Sequence, residues 1–169
     1  MKSLILPPLV LTLICTLICA ALVGAHELTK DKIAETAQAK FNTTLSEVLG
    51  EGEYTELENN LGVPEIKKII KKDDGQLAFE IVVSGYSKNG LDLIIGVNDN
   101  GITGIGVVAV TETKNVGTKV TEPELLGLMN GYNGEECAFD KVSSATYTSN
   151  ALKNAAKIAV DAYKGITQS

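Results

Sequence analysis

Leu91-Asp92-Leu93-Ile94-Ile95-Gly96-Val97-Asn98-Asp99-Asn100-Gly101-Ile102-Thr103-Gly104-Ile105-Gly106-Val107-Val108-Ala109-Val110-Thr111 reads as two strand-forming runs folded about one tight turn. Ile and Val dominate both runs, and β-branched side chains fit a pleated, half-buried surface. The Asn100-Gly101 pair between them accepts the positive φ angles that a two-residue hairpin turn requires. Working outward, Leu77 to Tyr86 and Ile66 to Lys71 repeat the pattern, with Asn89-Gly90 and Asp74-Gly75 as the intervening turn signals. Four short strands joined by tight turns predict an antiparallel meander.

Helical patterns lie on either side of that meander. From Thr29 to about Val48, Ile33, Ala37, Phe41 and Leu45 recur on one helical face. Glu122 to Tyr132 reads as a short helix with Thr121 as cap and Pro123 in its first turn. Its Leu125, Leu126 and Met129 offer either an apolar binding surface or core packing. From Asn150 onward, Leu152, Ala155, Ala156, Ala159, Val160 and Tyr163 form one apolar face, with Lys153, Lys157 and Asp161 between them. Strands flanked by helices, with no alternation of the two, predict an α+β domain with a mostly antiparallel sheet. Leu49 to Pro64 is rich in Glu, Asn and Gly and reads as loop with room for short structure; Glu51, Glu53, Glu56 and Glu58 there read as a solvated surface. Gly101, Gly104 and Gly106 do not open a helix as a dinucleotide-binding loop would, and a turn with a closely packed strand accounts for them.

The N-terminus carries a separate signal. Leu4 to Ala25 is a run of 22 residues without a charge, which as a helix spans about 33 Å and crosses a bilayer. Its length favours an uncleaved anchor over a cleavable signal peptide, whose apolar core is usually about 7–15 residues. The expected organisation is an anchor over residues 1–26 and one domain over 27–169. Lys2 on one side and Lys30 and Lys32 on the other leave the orientation undecided by charge.

Composition narrows the chemistry. Twenty-one acidic residues against 15 basic ones give a net charge of −6, which argues against nucleic acid as a partner. All 15 basic residues are Lys, so there is no Arg to grip a phosphate with two parallel bonds. His26 is the only His, and Cys137 the only Cys beyond the apolar run. No conventional zinc site, cysteine-ligated iron–sulfur cluster, intradomain disulfide or His-dependent hydrolase is available to residues 27–169. Redox chemistry here would need an organic cofactor.

Asp140-Lys141-Val142-Ser143-Ser144-Ala145-Thr146-Tyr147-Thr148-Ser149 places hydroxyl residues where the last helical pattern begins. A helix N-terminus has unpaired N–H groups and the positive end of the helix dipole, so an anion near Thr146 to Ser149 is favoured. The alternative is that Thr148 or Ser149 simply caps the helix. The segment resembles the flavinylation motif of the FMN-binding domain family, and Thr111-Glu112-Thr113-Lys114-Asn115-Val116-Gly117-Thr118-Lys119 resembles the Glu-Thr-Pro-Gly-Leu-Gly segment that precedes it there. Ser144 stands where that family usually has Gly, and Lys114 and Asn115 stand where it has Pro and Gly.

The resemblance implies a covalently bound FMN, joined through its phosphate to Thr146 by a flavin transferase. It makes Ser143, Ser144, Ala145, Thr148, Glu112, Thr113 and Gly117 the accompanying cofactor-binding residues, with no catalytic residue and no metal. The whole pattern is most similar to G subunits of Rnf-type ion-translocating ferredoxin:NAD oxidoreductases, and also to C subunits of Na⁺-translocating NADH:quinone oxidoreductases. It implies an electron carrier on the outer face of the cell membrane, anchored by one span, with other membrane subunits of an electron-transport complex as partners. A stand-alone extracytoplasmic FMN carrier or reductase and a non-redox anchored binding module remain as alternatives.

Overall fold

In the computed structural model, residues 2–167 are described, with side chains for 7–167. The chain divides into two compact units, residues 1–40 and 41–169. The first unit is helical. Helix α1, Lys2–Leu49, begins in it and contains Pro7 and Pro8 near its start, where the missing N–H groups are least costly. Among the described residues, this is the one helix long and apolar enough to cross a membrane, with an 18-residue window of mean hydropathy 2.4. Leu9, Leu11, Leu17 and Leu22 along it are exposed. The helix continues without a break into the segment read as a second helix. Ile33 is 62% exposed and Ala37 is also exposed, so the expected apolar face is used only from Phe41 onward.

The second unit is built on a five-stranded antiparallel meander in the order β1-β2-β3-β4-β5. Its strands are β1 Tyr54–Leu57, β2 Ile66–Lys72, β3 Leu77–Val83, β4 Leu91–Asn98 and β5 Gly101–Val110. The four expected strands are present. β1 is the short structure within the loop-rich segment, an edge strand where Tyr54 to Leu57 pair with Lys72 to Ile69. β3 stops at Val83 and not at Tyr86, because Ser84 to Asn89 turn back, with the Ser84 hydroxyl accepting the Asn89 N–H at 3.1 Å.

Alternation along the strands gives the sheet two apolar faces. One face presents Phe79, Ile81, Leu93, Ile95 and Val97 to helix α3, Thr146–Thr167. The other presents Ile70, Ala78 and Ile94 to Phe41, Leu45 and Leu49 of α1. Ile66 and Ile69 are three residues apart yet share the α3 face. The register shift between Ile66 and Lys68 makes that possible by inserting an extra residue. Two further shifts in the β4–β5 ladder do the same for Ile102, Ile105, Val107 and Val110.

Glycines decide how closely α1 approaches. A Cβ at Gly106 would lie 2.3 Å from Thr44 Cγ2, and one at Gly96 would lie 2.8 Å from Val48 Cγ1. Gly106 is thus a packing residue, as the closely packed strand reading expected. Gly101 has φ +106, and a Cβ there would lie 2.5 Å from the Tyr132 carbonyl oxygen. That carbonyl accepts the Ile102 N–H at 3.0 Å, and the Gly131 N–H donates to Ile102 O at 2.8 Å, so the chain covers this end of the β5 edge.

The expected helix over Glu122–Tyr132 is shorter than its pattern. A 3₁₀ turn over Gly117–Thr121 leads into α2, Pro123–Gly127. Pro123 occupies the first turn as expected, but Thr121 does not cap it. The Thr121 hydroxyl donates to Thr118 O at 2.8 Å, closing the preceding 3₁₀ turn, and Glu122 stands at the cap without a side-chain bond. Leu126 and Met129 are buried in the main core, so they are packing residues and not a binding surface.

Candidate flavin site

The last helix starts earlier than its apolar pattern. α3 begins at Thr146, and Thr148 and Ser149 are buried within its first turn. The capping alternative is therefore corrected: both hydroxyls are engaged inside the fold. Ser149 Oγ accepts the Val142 N–H at 3.0 Å, and Thr148 Oγ1 donates to Glu112 Oε2 at 3.0 Å. Helical periodicity is carried by the apolar residues from Ala151 onward, so the polar first turn was invisible to it.

Between Val142 and Ala145 the chain makes a tight turn closed by the Ala145 N–H on Val142 O at 3.0 Å. Ser144 sits third in that turn with φ +67. This is the left-handed position that glycine fills most easily, and a non-glycine residue holds it at a cost of about 1–2 kcal/mol. The turn delivers Ala145, buried, to the foot of the helix. The Ser149 N–H bonds back to Ala145 O at 2.9 Å, so the N–H groups of Thr146, Tyr147 and Thr148 stand at the open end of the helix. Thr146 itself is exposed. Among the aliphatic hydroxyls of the first turn its own is the exposed one, whereas those of Thr148 and Ser149 are occupied.

Glu112 joins this helix end to the rest of the domain. It is 7% exposed. Besides the Thr148 hydroxyl, its carboxylate accepts the Tyr86 N–H at 3.3 Å and the Ser87 N–H at 3.2 Å. An ionised carboxylate held by several donors in a buried site is well satisfied. Three glycines make room for it. A Cβ at Gly90 would fall 1.8 Å from Glu112 Oε1, one at Gly85 2.6 Å from the same atom, and one at Gly117 2.7 Å from Glu112 Cβ. Asn115 continues the segment with φ +60, its N–H donating to Thr118 Oγ1 at 2.9 Å.

Beside the helix end lies a cavity of about 250 Å³ lined by Tyr86, Glu112, Thr113, Val116, Gly117, Ser144, Ala145, Tyr147 and Thr148. Six residues expected at the site, Glu112, Thr113, Gly117, Ser144, Ala145 and Thr148, meet there. Ser143 and Thr146 are exposed at its border and do not line it. Tyr86, Val116 and Tyr147 had not been singled out. A Tyr between Gly85 and Gly90, in a segment too glycine-rich to be plain strand, is the signal that marks the first. A larger cavity of about 420 Å³ lies between the end of α1, β5 and α2, but its lining of Val48, Gly104, Gly106, Pro123 and Leu126 has no comparable chemistry. Among the described residues no cluster of three or more His, Cys, Asp or Glu side chains is placed to hold a metal.

The residues fit a flavin nucleotide. An accessible hydroxyl and open N–H groups at a helix N-terminus suit a phosphate, and the adjoining cavity has apolar and aromatic walls suited to a flat ring. No curated protein matches the chain. Residues 85–161, from the Gly85-Tyr86 loop into the second half of α3, match the family model described as FMN-binding domain.

Proposed function

We propose that this chain is a membrane-anchored electron carrier with FMN joined through its phosphate to Thr146. In this reading it serves as the G-type subunit of an Rnf-type ion-translocating ferredoxin:NAD oxidoreductase. The observation that carries the reading is the exposed Thr146 hydroxyl at the open end of α3, next to a cavity where the two motif segments are tied by the Thr148–Glu112 bond. The apolar run within α1 supports a single membrane span, and other membrane subunits would be the donor and acceptor.

The chain's own residues do the positioning. Thr146 would supply the oxygen that attacks the flavin-side phosphorus of a flavin dinucleotide; the bond between the two phosphates would break, and the hydroxyl proton would leave with the nucleoside monophosphate. The protein then gains the mass of FMN less one water. The N–H groups of the first turn and the helix dipole stabilise the phosphodiester charge. Glu112 and its three glycines hold the helix end against the Tyr86 loop, so the tether point is fixed relative to the cavity. Bound FMN supplies the capacity to accept and release electrons one or two at a time.

The test is intact mass and in-gel fluorescence of full-length protein made with an active flavin transferase, beside Thr146→Ala. A fluorescent species heavier by FMN less one water, absent in the variant, is expected. An unmodified mass, with the transferase active on a control protein, overturns the covalent reading.

A further inference from the structure

We infer that Tyr86 and Tyr147 form a two-sided aromatic clamp for the flat ring of the cofactor, an assignment that rests on the FMN reading of the cavity. The two rings are 77% and 71% exposed, yet both line the same cavity of about 250 Å³. Exposed Tyr side chains elsewhere in a domain are scattered; two converging on one cleft from different elements make a surface for a planar, apolar ligand. The other three tyrosines are engaged elsewhere: Tyr163 is buried with its hydroxyl donating to Asp99 Oδ1 at 2.8 Å, the Tyr54 hydroxyl bonds Gly50 O, and Tyr132 packs half-buried against the main core. Among the described residues neither the Tyr86 nor the Tyr147 hydroxyl has a hydrogen-bond partner. Their rings are free while their backbones are fixed.

The fixing is shared. Glu112 Oε2 accepts both the Tyr86 N–H and the Thr148 hydroxyl, the latter one residue beyond Tyr147. One carboxylate oxygen therefore sets the spacing between the loop that carries one ring and the helix turn that carries the other. Val116 and Ala145 complete the apolar lining. The ligand class is a planar heteroaromatic ring, gripped by its faces and not by hydrogen bonds to its edge from these two side chains.

The experiment uses full-length protein in detergent, flavinylated by the transferase, as wild type, Tyr86→Ala, Tyr147→Ala, Tyr86→Phe and Tyr147→Phe. Intact mass first establishes that FMN is attached, and then flavin emission and its quenching by iodide are measured. Each Ala variant is expected to raise emission and to at least double the iodide quenching constant, while each Phe variant, which keeps the flat ring, retains the wild-type iodide quenching constant. FMN attached in all variants with emission and quenching unchanged overturns the clamp and leaves the FMN reading intact. No FMN on the wild-type chain overturns both. Should Tyr147→Ala escape modification because it adjoins Thr146, the Tyr86 pair decides in the same way.

Discussion

The two faces of the sheet are packed by opposite arrangements of large and small residues. On the α3 face the helix is small and the sheet large: Ala151, Ala155, Ala156 and Ala159 are set against Phe79, Ile81, Leu93 and Ile95. On the other face the helix is large and the sheet small at its closest approach, where Phe41, Leu45 and Val48 of α1 meet Ala78, Gly96 and Gly106, with Ile70 and Ile94 completing the cluster. Both arrangements bring a helix close to the strands, but they differ in what they hold in place. The α3 face is continuous and wholly apolar, and it positions the helix end that carries Thr146. The α1 face is a smaller cluster bordered by charge, where Lys67 bridges Asp92 at 2.9 Å and Glu80 at 3.9 Å, and Lys68 Nζ lies 4.5 Å from the centre of the Phe41 ring. The site belongs to the more cohesive face.

That contrast is open to direct attack. The largest effect is expected at Phe79, fully buried on the α3 face: Phe79→Ala should cost about 3–5 kcal/mol in urea denaturation of the full chain in detergent. A loss under about 1 kcal/mol would mean that α3 is held mainly by something other than this face. On the opposite face, Gly106→Ala should cost about 1–3 kcal/mol through overpacking against Thr44. Adding Thr44→Ser, which removes the methyl group concerned, should restore part of that loss, and strict additivity of the two changes would break the picture of close approach.

At the junction between helix end and sheet, Glu112→Ala strands the Thr148 hydroxyl and the N–H groups of Tyr86 and Ser87, at an expected cost of about 1–3 kcal/mol. Ser144→Gly goes the other way. It relieves a left-handed backbone and should stabilise the domain by up to about 1 kcal/mol, which thermal denaturation would register as a raised Tm.

The smallest effect is one of pH, on the charged border of the α1 face. Burial, and then the nearby Asp92 charge, raise the Glu80 carboxyl above its ordinary value, partly opposed by Lys68 and Lys67. The folded chain thus binds this proton more tightly than the unfolded chain does. The associated stability is present below the ordinary carboxylate range and is lost as pH rises through the raised value. Glu80→Gln should therefore be more stable than wild type at neutral pH, with the advantage vanishing in acid. An advantage independent of pH would point to packing and not to charge.

The strands were legible because their signals are local: Ile/Val runs and Asx-Gly turns between them. What sequence could not supply was anything decided by a partner distant in the chain. β1 forms because β2 offers it an edge, and nothing in Tyr54–Leu57 by itself requires a strand. α2 ends early because Leu126 and Met129 are drawn into the core and the chain then turns at Gly131, φ +79. At the site, the motif residues were legible through their resemblance to a family, but their roles were not separable. The structure gives them different surroundings: Thr146 and Ser143 are exposed, whereas Thr148 and Ser149 are committed to internal bonds. It also places two departures from the family pattern. Ser144 and Asn115, both standing where Gly is usual, take φ values of +67 and +60. This chain makes left-handed turns there with residues that tolerate them less well than glycine, Asn better than Ser.

The order of the meander also has a temporal side. Each strand pairs with the one before it, so the sheet can assemble by short loop closures as the chain is made, which is the kinetically favoured kind of contact. The Thr148–Glu112 bond spans 36 residues and waits for α3, which follows every strand of the sheet in chain order. Thr146 is thus presented at a helix end only after the sheet exists to receive that helix. Attachment of a cofactor at this residue would follow folding, and a modifying enzyme would meet a finished surface in place of a nascent chain.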